Sequence, residues 1–403
     1  MPEKKPINFQ LAIIWITIFL DLMGVTLIIP FINEFVEQLG GDERHAGFLL
    51  GSYAVMQFIF APVLGKISDK YGRKPIILFG LLGACIAFLI FGLATQLWLL
   101  FASRMLAGLS NANISVAQAY IADITPRDQR AARMGIIQAA FSLGFIVGFP
   151  IGGILAEQFS VAAPSLLASA LSLVNGIFAL FFLPESLKPE KRISGPLNLN
   201  PLAIAFHSVE NILAYIKIKR YTSLLIIFLL YSFAFSILHV TFVEFNREYL
   251  MMNPQQIGFI FMYIGVVGFV VQMFAIKPMV RLMGEEKVMI AGFLVMASGL
   301  AVTPLVDHMN WLFLTSLLVA GGNSLLSPTA TAIISQRSSE NEQGIVLGIT
   351  QSLGSLGRIF GPPYGGLTYF GIHYLFPFIS SAIILVGAVL FFYGSKIGNE
   401  IRD

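Results

Sequence analysis

The sequence predicts an all-α integral membrane protein: twelve transmembrane helices in two six-helix bundles, with both termini cytoplasmic. Three observations lead there. First, hydrophobic residues make up 56% of the 403 residues and charged residues only 12%, against about 25% charged in a soluble domain. Second, residues 134–153 (MGIIQAAFSLGFIVGFPIGG) match residues 347–366 (LGITQSLGSLGRIFGPPYGG) at eleven of twenty positions, at a constant offset of 213. The same offset aligns Trp98 with Trp311, Ser103 with Ser316 and Gly108 with Gly321. The chain is thus two related halves, both apolar, as many secondary transporters are built. Third, with the N-terminus inside, 21 Lys and Arg fall in cytoplasmic segments and two outside, Arg44 and Arg247. That asymmetry sets the orientation.

A span needs about 20 mostly apolar residues. The stretches that qualify are 11–34, 46–66, 75–95, 98–122, 132–156, 163–184, 221–246, 255–277, 287–306, 310–335, 343–370 and 374–395. The opening MPEKKPINFQ runs into the first of them without a small-residue cleavage site, so it reads as an uncleaved span. Thr95–Leu97 and Gly371–His373 are tight turns between antiparallel helices. The longest polar segment, 185–220, carries six basic residues and several prolines. It is the linker between a first bundle at 1–184 and a second at 221–403. Within it, 202–219 (LAIAFHSVENILAYIKIK) reads as an amphipathic helix on the cytoplasmic surface, or else as an interrupted start of span seven.

The loop after span two reads GKISDKYGRKP (Gly65–Pro75). Glycines allow a tight turn where helix ends approach. Asp69 is placed to cap another helix's N-terminus, and Arg73 to pair with Asp123 at the cytoplasmic end of span four. Gly65, Asp69, Gly72, Arg73 and Asp123 are the expected cytoplasmic gate. Gly144, Gly148 and Gly152 recur every four residues, as do Gly357, Gly361 and Gly365, so each set forms one helix stripe. Small residues let helix backbones approach closely in lipid, and the paired stripes suggest a symmetric interface between halves.

These motifs resemble the major facilitator superfamily, and within it the twelve-helix drug:proton antiporters. The signature loop of that superfamily matches Gly65, Asp69, Gly72 and Arg73. The span-four motif matches Arg104 and Gly108. The span-five motif GxxxGPxxGG matches Gly144, Gly148, Gly152 and Gly153, with Phe149 in place of its proline; Gly357–Gly366 carries it in full. The span-one pattern matches Asp21, Gly24 and Pro30. The stretch Tyr53–Pro75 is especially similar to tetracycline/proton antiporters. The second half carries only a degraded loop copy, KPMVRLMGEEK at 277–287. The resemblance implies the major facilitator fold and proton coupling. It does not extend to tetracycline, because that family's acidic residues in spans three and nine fall at Ala87 and Met296, and its span-eight histidine at Gly268.

Ionisable residues inside spans are functional candidates by default. Asp21 lies about 15 Å into span one at the helical rise per residue, and is the expected proton carrier. Arg104 is either its counter-charge or an anchor for helix backbone. His239 is either a second proton site, since histidine titrates near neutrality, or a hydrogen-bonded structural residue. Arg358 meets an anionic group of the substrate or snorkels outward. Gln57, Asn111, Asn113, Gln138, Gln272, Asn323 and Gln351 are uncharged polar candidates for a substrate cavity between the bundles. Gln138 and Gln351 are repeat partners.

The expected function is proton-coupled export of an amphiphilic small molecule by alternating access, with proton-coupled uptake of a metabolite or metal chelate as the alternative. A non-transporting receptor is a distant third. The expected partners are substrate, protons and the bacterial cytoplasmic membrane, with the chain a monomer. A net charge of +3 gives no case for nucleic acid. The single cysteine, Cys85, excludes an intrachain disulfide and any thiolate metal cluster. No GxxxxGK[ST] loop is present for ATP, and no nucleophile–base pair points to an enzyme. Neither a cofactor nor a metal is implied.

Overall fold

The computed structural model describes residues 7–42, 44–110, 113–125, 130–192, 200–338 and 342–400. Among them the secondary structure is helical, with no strand. In chain order the helices are α1 (Ile7–Thr26), α2 (Ile32–Gln38), α3 (Arg44–Tyr71), α4 (Arg73–Gly92), α5 (Leu97–Ser110), α6 (Asn113–Ile124), α7 (Arg130–Gln158), α8 (Ala163–Phe182), α9 (Pro201–Ile216), α10 (Lys219–Glu244), α11 (Pro254–Val270), α12 (Ile276–Met283), α13 (Glu285–Val302), α14 (Met309–Gln336), α15 (Gln343–Gly371) and α16 (Phe376–Glu400).

Ten of the described helical segments are long and apolar enough to cross a membrane. The stretches 98–122 and 343–370 are helical but outside that set. The first passes through residues 111–112, which are not described. The second, α15, is diluted by Gly, Ser and Gln. α10 runs on into a π-helical turn at Phe245–Tyr249, and α11 joins α12 through another at Val271–Ala275. Such turns inside helices are frequent at functional sites. α9 is a helix of its own, ending in a turn before α10 begins at Lys219.

Local chemistry sets several boundaries. α11 starts in a capping box, with Asn253 and Gln256 each bonding the other's backbone N–H and Pro254 in the first turn. α3 and α4 are divided by Gly72, whose φ of +106° a residue with a Cβ rarely adopts. Gly284, at φ +81°, divides α12 from α13 in the same way. Prolines 62, 150, 328, 362 and 363 lie inside helices, as membrane helices tolerate.

The chain forms two compact units. The first comprises Met1–Gly40 and Val55–Ala205. In it α1 packs on α7 and α8, and α4 on α5 and α8. Its core gathers Leu11, Ile14, Ile18 and Leu22 of α1 with Ile77, Leu81, Tyr120 and Ile121. The second comprises Gly41–Ala54 and Phe206–Asp403. There α10 packs on α15 and α16, and α13 on α14 and α16. Outside these cores the apolar residues form helix-spaced stripes: Phe79, Leu82, Ile86 and Leu89 are exposed along α4, and Ile379, Ile383, Val386 and Leu390 along α16. Continuous exposed apolar stripes of this kind mark contact with lipid.

Candidate functional site

In the first unit the site is built around Asp21, buried on α1 with 7% of its surface exposed. One turn earlier on the same face is Thr17. The two border a cavity of about 20 Å³ lined also by Ile14, Ile18, Ile77, Leu81 and Ala117. That is room for about one water. Asn175 of α8, fully buried, donates from Nδ2 to the Thr17 carbonyl at 2.9 Å. It fixes the α1 backbone one turn before the carboxylate. Sequence reasoning passed over Asn175; a polar amide within span six was the available signal.

Arg104 does not supply the expected counter-charge. Its guanidinium lies over the rings of Phe91 and Phe88, 4.5 and 5.7 Å from their centroids. No ion pair joins it to Asp21. The packing of α5 on α4 presents these two ring faces to the cation, and a desolvated cation–π contact is worth about 2 kcal/mol.

The glycine stripes correct a second expectation. A Cβ at Gly144, Gly148 or Gly152 on α7 meets Leu22, Met23 and Thr26 of α1 and Leu27 just after it. Thr26 Oγ1 also donates to the Gly144 carbonyl at 2.9 Å. A Cβ at Gly357, Gly361 or Gly365 on α15 meets Ser232, Phe233, Ser236, Ile237 and Thr241 of α10. The close contacts of each stripe are therefore with the first span of its own half. The α10 contacts lie 210 residues beyond their α1 counterparts: Ser232 to Leu22, Phe233 to Met23, Ser236 to Thr26, Ile237 to Leu27. In this register Asp21 corresponds to Tyr231, an equivalence hidden from the 213-residue offset of the sequence match.

In the second unit, Tyr231 donates from its hydroxyl to Asn323 Oδ1 at 2.5 Å. The ring of Tyr231 sits among Phe228, Phe235 and Phe293. His239 Nδ1 lies 3.0 Å from the Ser236 carbonyl, and its ring meets Phe235 edge-on. Arg358 turns inward: Nη2 donates to Ser355 Oγ at 3.0 Å, and Nη1 lies over Gly354 beside Phe228 and Ser232. Glu244, fully buried, pairs with Arg247 at 2.5 Å across the π-helical turn. Gln57, Gln272 and Asn323 are half-buried and Gln351 is exposed. Asn111 lies outside the described residues, and of Asn113 and Gln138 only the helical backbone is described. Among the described residues no three His, Cys, Asp or Glu side chains converge as metal ligands.

At the end of the first unit, Arg73 collects the expected gate residues. Its guanidinium reaches Asp69 at 2.6 Å, Asp123 at 3.1 Å and Ser68 Oγ at 2.6 Å. Gly72 is buried beside it, whereas a Cβ at Gly65 would meet nothing within 4 Å. The unexpected member is Glu185, in the Pro-Glu-Ser that follows α8. Its carboxylate accepts from the backbone N–H of Arg73 at 2.9 Å, Lys74 at 3.2 Å and Leu187 at 3.0 Å. A carboxylate at a helix N-terminus satisfies orphan donors and the helix dipole. Glu185→Ala should cost about 1 kcal/mol, the usual loss for a helix cap. A thermal-unfolding comparison with wild type would show it; an unchanged Tm would mean that water replaces the carboxylate fully.

The second-half loop copy keeps this architecture with its charges reversed. After Gly284, Glu286 accepts from Arg337 at 2.7 Å and Glu285 from Gln336 at 3.0 Å. The acids now start the helix and the cation ends its neighbour.

The model of the Major Facilitator Superfamily matches residues 14–243 and 224–400. The chain is 31% identical to the tetracycline resistance protein, class C, of Escherichia coli, over 88% of both chains. It is 33% identical to multidrug resistance protein 2 of Bacillus subtilis (strain 168), over 95% of both. Its fold matches the crystal structure of the human organic anion transporter MFSD10 (TETRAN) with a TM-score of 0.75 at 23% identity, covering 96% of this chain and all of that one. The chain thus belongs to the major facilitator superfamily: it is a multi-pass bacterial membrane protein, a secondary transporter of small molecules and not an enzyme.

Proposed function

We propose that the chain is a proton-coupled exporter of an amphiphilic small molecule, working as a monomer in the lipid bilayer by alternating access. In this reading it has twelve spans in two six-helix bundles, 1–184 and 221–403, joined by a cytoplasmic linker at 185–220, with both termini cytoplasmic. Asp21 carries the proton. Gln57, Gln272, Asn323, Gln351 and Arg358 supply polar contacts to the substrate. Asp69, Arg73 and Asp123 form the cytoplasmic gate. The relatives' names, tetracycline and multidrug resistance proteins, favour export.

The observation that carries the reading is Asp21 itself. A carboxylate buried in an apolar span is costly unless it is paired or protonated. Arg104 is engaged with aromatic rings, and the neighbouring cavity has room for about one water. Proteoliposomes loaded with a pH-sensitive dye provide the test. Adding a substrate should dissipate an imposed proton gradient, and the sidedness of substrate movement should oppose that of protons. Co-movement in one direction would favour uptake, and transport with no proton movement would end the coupling.

A further inference from the structure

The second unit contains a half-buried cation whose interactions include no acid. Arg358 sits mid-way along α15, and its one hydrogen bond is to the neutral Ser355 Oγ. The titratable groups that act on it electrostatically are the phenols of Tyr53 and Tyr231 and the imidazole of His239, all in the same unit. Among the described residues no carboxylate pairs with it. Glu244 is matched by Arg247, and Arg73 by Asp69 and Asp123. Arginine stays charged at any physiological pH and presents a planar fork of donors suited to an oxyanion. Most of those donors are unspent here, and the residue keeps partial solvent access.

The surroundings are shaped for more than an inorganic ion. Phe228, Tyr231, Phe235 and Phe293 form a continuous aromatic group with His239 at its end; Phe228 lies next to the guanidinium at Gly354, and Phe235 and His239 are half-buried. The absence of a side chain at Gly357 lets α15 lie close to α10, which holds the guanidinium near Phe228 and Ser232. The Tyr231–Asn323 hydrogen bond adds a fixed polar edge. A charged fork next to aromatic faces matches a ligand with an anionic head and a flat apolar body.

From this geometry we infer that the second unit holds a binding site for aromatic carboxylates, in which Arg358 takes the carboxylate and the Phe228–Tyr231–Phe235 aromatic group takes the ring system. This deepens the proposed export of an amphiphile by naming its charge, and it rests on that reading for its physiological role. It requires nothing of proton coupling or direction.

Equilibrium binding to the purified full-length protein in detergent tests it, with 1-pyrenebutyrate, its primary amide and 1-pyrenebutylamine as fluorescent probes. The wild type should bind the carboxylate about tenfold more tightly than the amide, the scale of one charge-assisted hydrogen-bonded contact, and should bind the amine least. Arg358→Gln should bring carboxylate and amide to equal affinity, and Arg358→Lys should restore part of the preference. No saturable carboxylate binding by the wild type, equal affinity for carboxylate and amide, or a preference retained in Arg358→Gln would each overturn the site. The wild-type comparison needs no variant, so misfolding of Arg358→Gln cannot shield the idea. The export reading fails separately: a carboxylate preference without proton movement in proteoliposomes would leave the site standing and remove only the coupling.

Discussion

Asp21→Asn is expected to abolish substrate-induced proton release from the solubilised protein while leaving it folded. Asparagine is nearly isosteric with aspartate, so the packing against Ile18, Ile77 and Leu81 and the small cavity should persist. The cost of burying the group falls, because an amide needs no counter-ion. What disappears is the ability to change charge. Alternating access driven by protons needs a group whose two protonation states favour different conformations, since a ligand shifts an equilibrium only through differential affinity. Downhill substrate exchange can therefore survive in the variant while uphill transport is lost. Asp21→Glu retains a titratable group and should keep partial activity, less than wild type because one more methylene must fit the same small space. If Asp21→Asn still released one proton per substrate, the carrier would lie elsewhere, and His239 would be the next residue to replace.

The second large effect is steric. Gly357→Ala should lower stability by about 1–3 kcal/mol, the range for overpacking a close-packed interior, and should reduce transport with it. The added Cβ would sit 2.6 Å from the Ser232 carbonyl carbon, 2.7 Å from its Cβ and 2.8 Å from the Phe233 nitrogen. These are largely backbone atoms of α10, so relief requires the two helices to separate. Separation would displace Arg358 on one helix and Tyr231 and His239 on the other. Gly348 offers the control on the same helix, because a Cβ there meets nothing within 4 Å. Gly348→Ala should be neutral or mildly stabilising, as alanine is the better helix former by about 1 kcal/mol. Tm values for the pair separate the two cases. Equal Tm for both variants would show that the stripe does not hold α15 against α10.

The sequence by itself determined the elements and the inventory. Mean hydropathy, the Lys and Arg distribution and the repeat are properties of a line of residues, and the bilayer imposes them segment by segment. That is why the helical spans and the list of intramembrane charges were readable without a structure. The Arg73–Asp123 pair was also readable, because both residues had to lie at the same end of neighbouring antiparallel helices.

Partners inside the bundle were decided only by tertiary structure. Which side chain meets which depends on the rotation of each helix about its axis and on neighbours far along the chain. For Arg104 the sequence leaves a counter-charge to Asp21 and an anchor for helix backbone both open; the packing of α4 and α5 sets it over ring faces. Glu185 bonds Arg73 across 112 residues, and Asn175 reaches Thr17 across 158. The glycine stripes announced close packing, but a stripe has no address; the contacts with α1 and α10 supplied it. The same contacts make Tyr231 the counterpart of Asp21 in the internal register, three residues away from the offset that the two matching segments share. An acid in one half and an arginine in the other were both present in the sequence, but only the packing of α15 on α10 shows that the arginine lies beside Phe228 and Ser355 and meets no counter-ion among the described residues. Apolar periodicity specifies that a face is buried, whereas the identity of the buried neighbour is a property of three-dimensional contact.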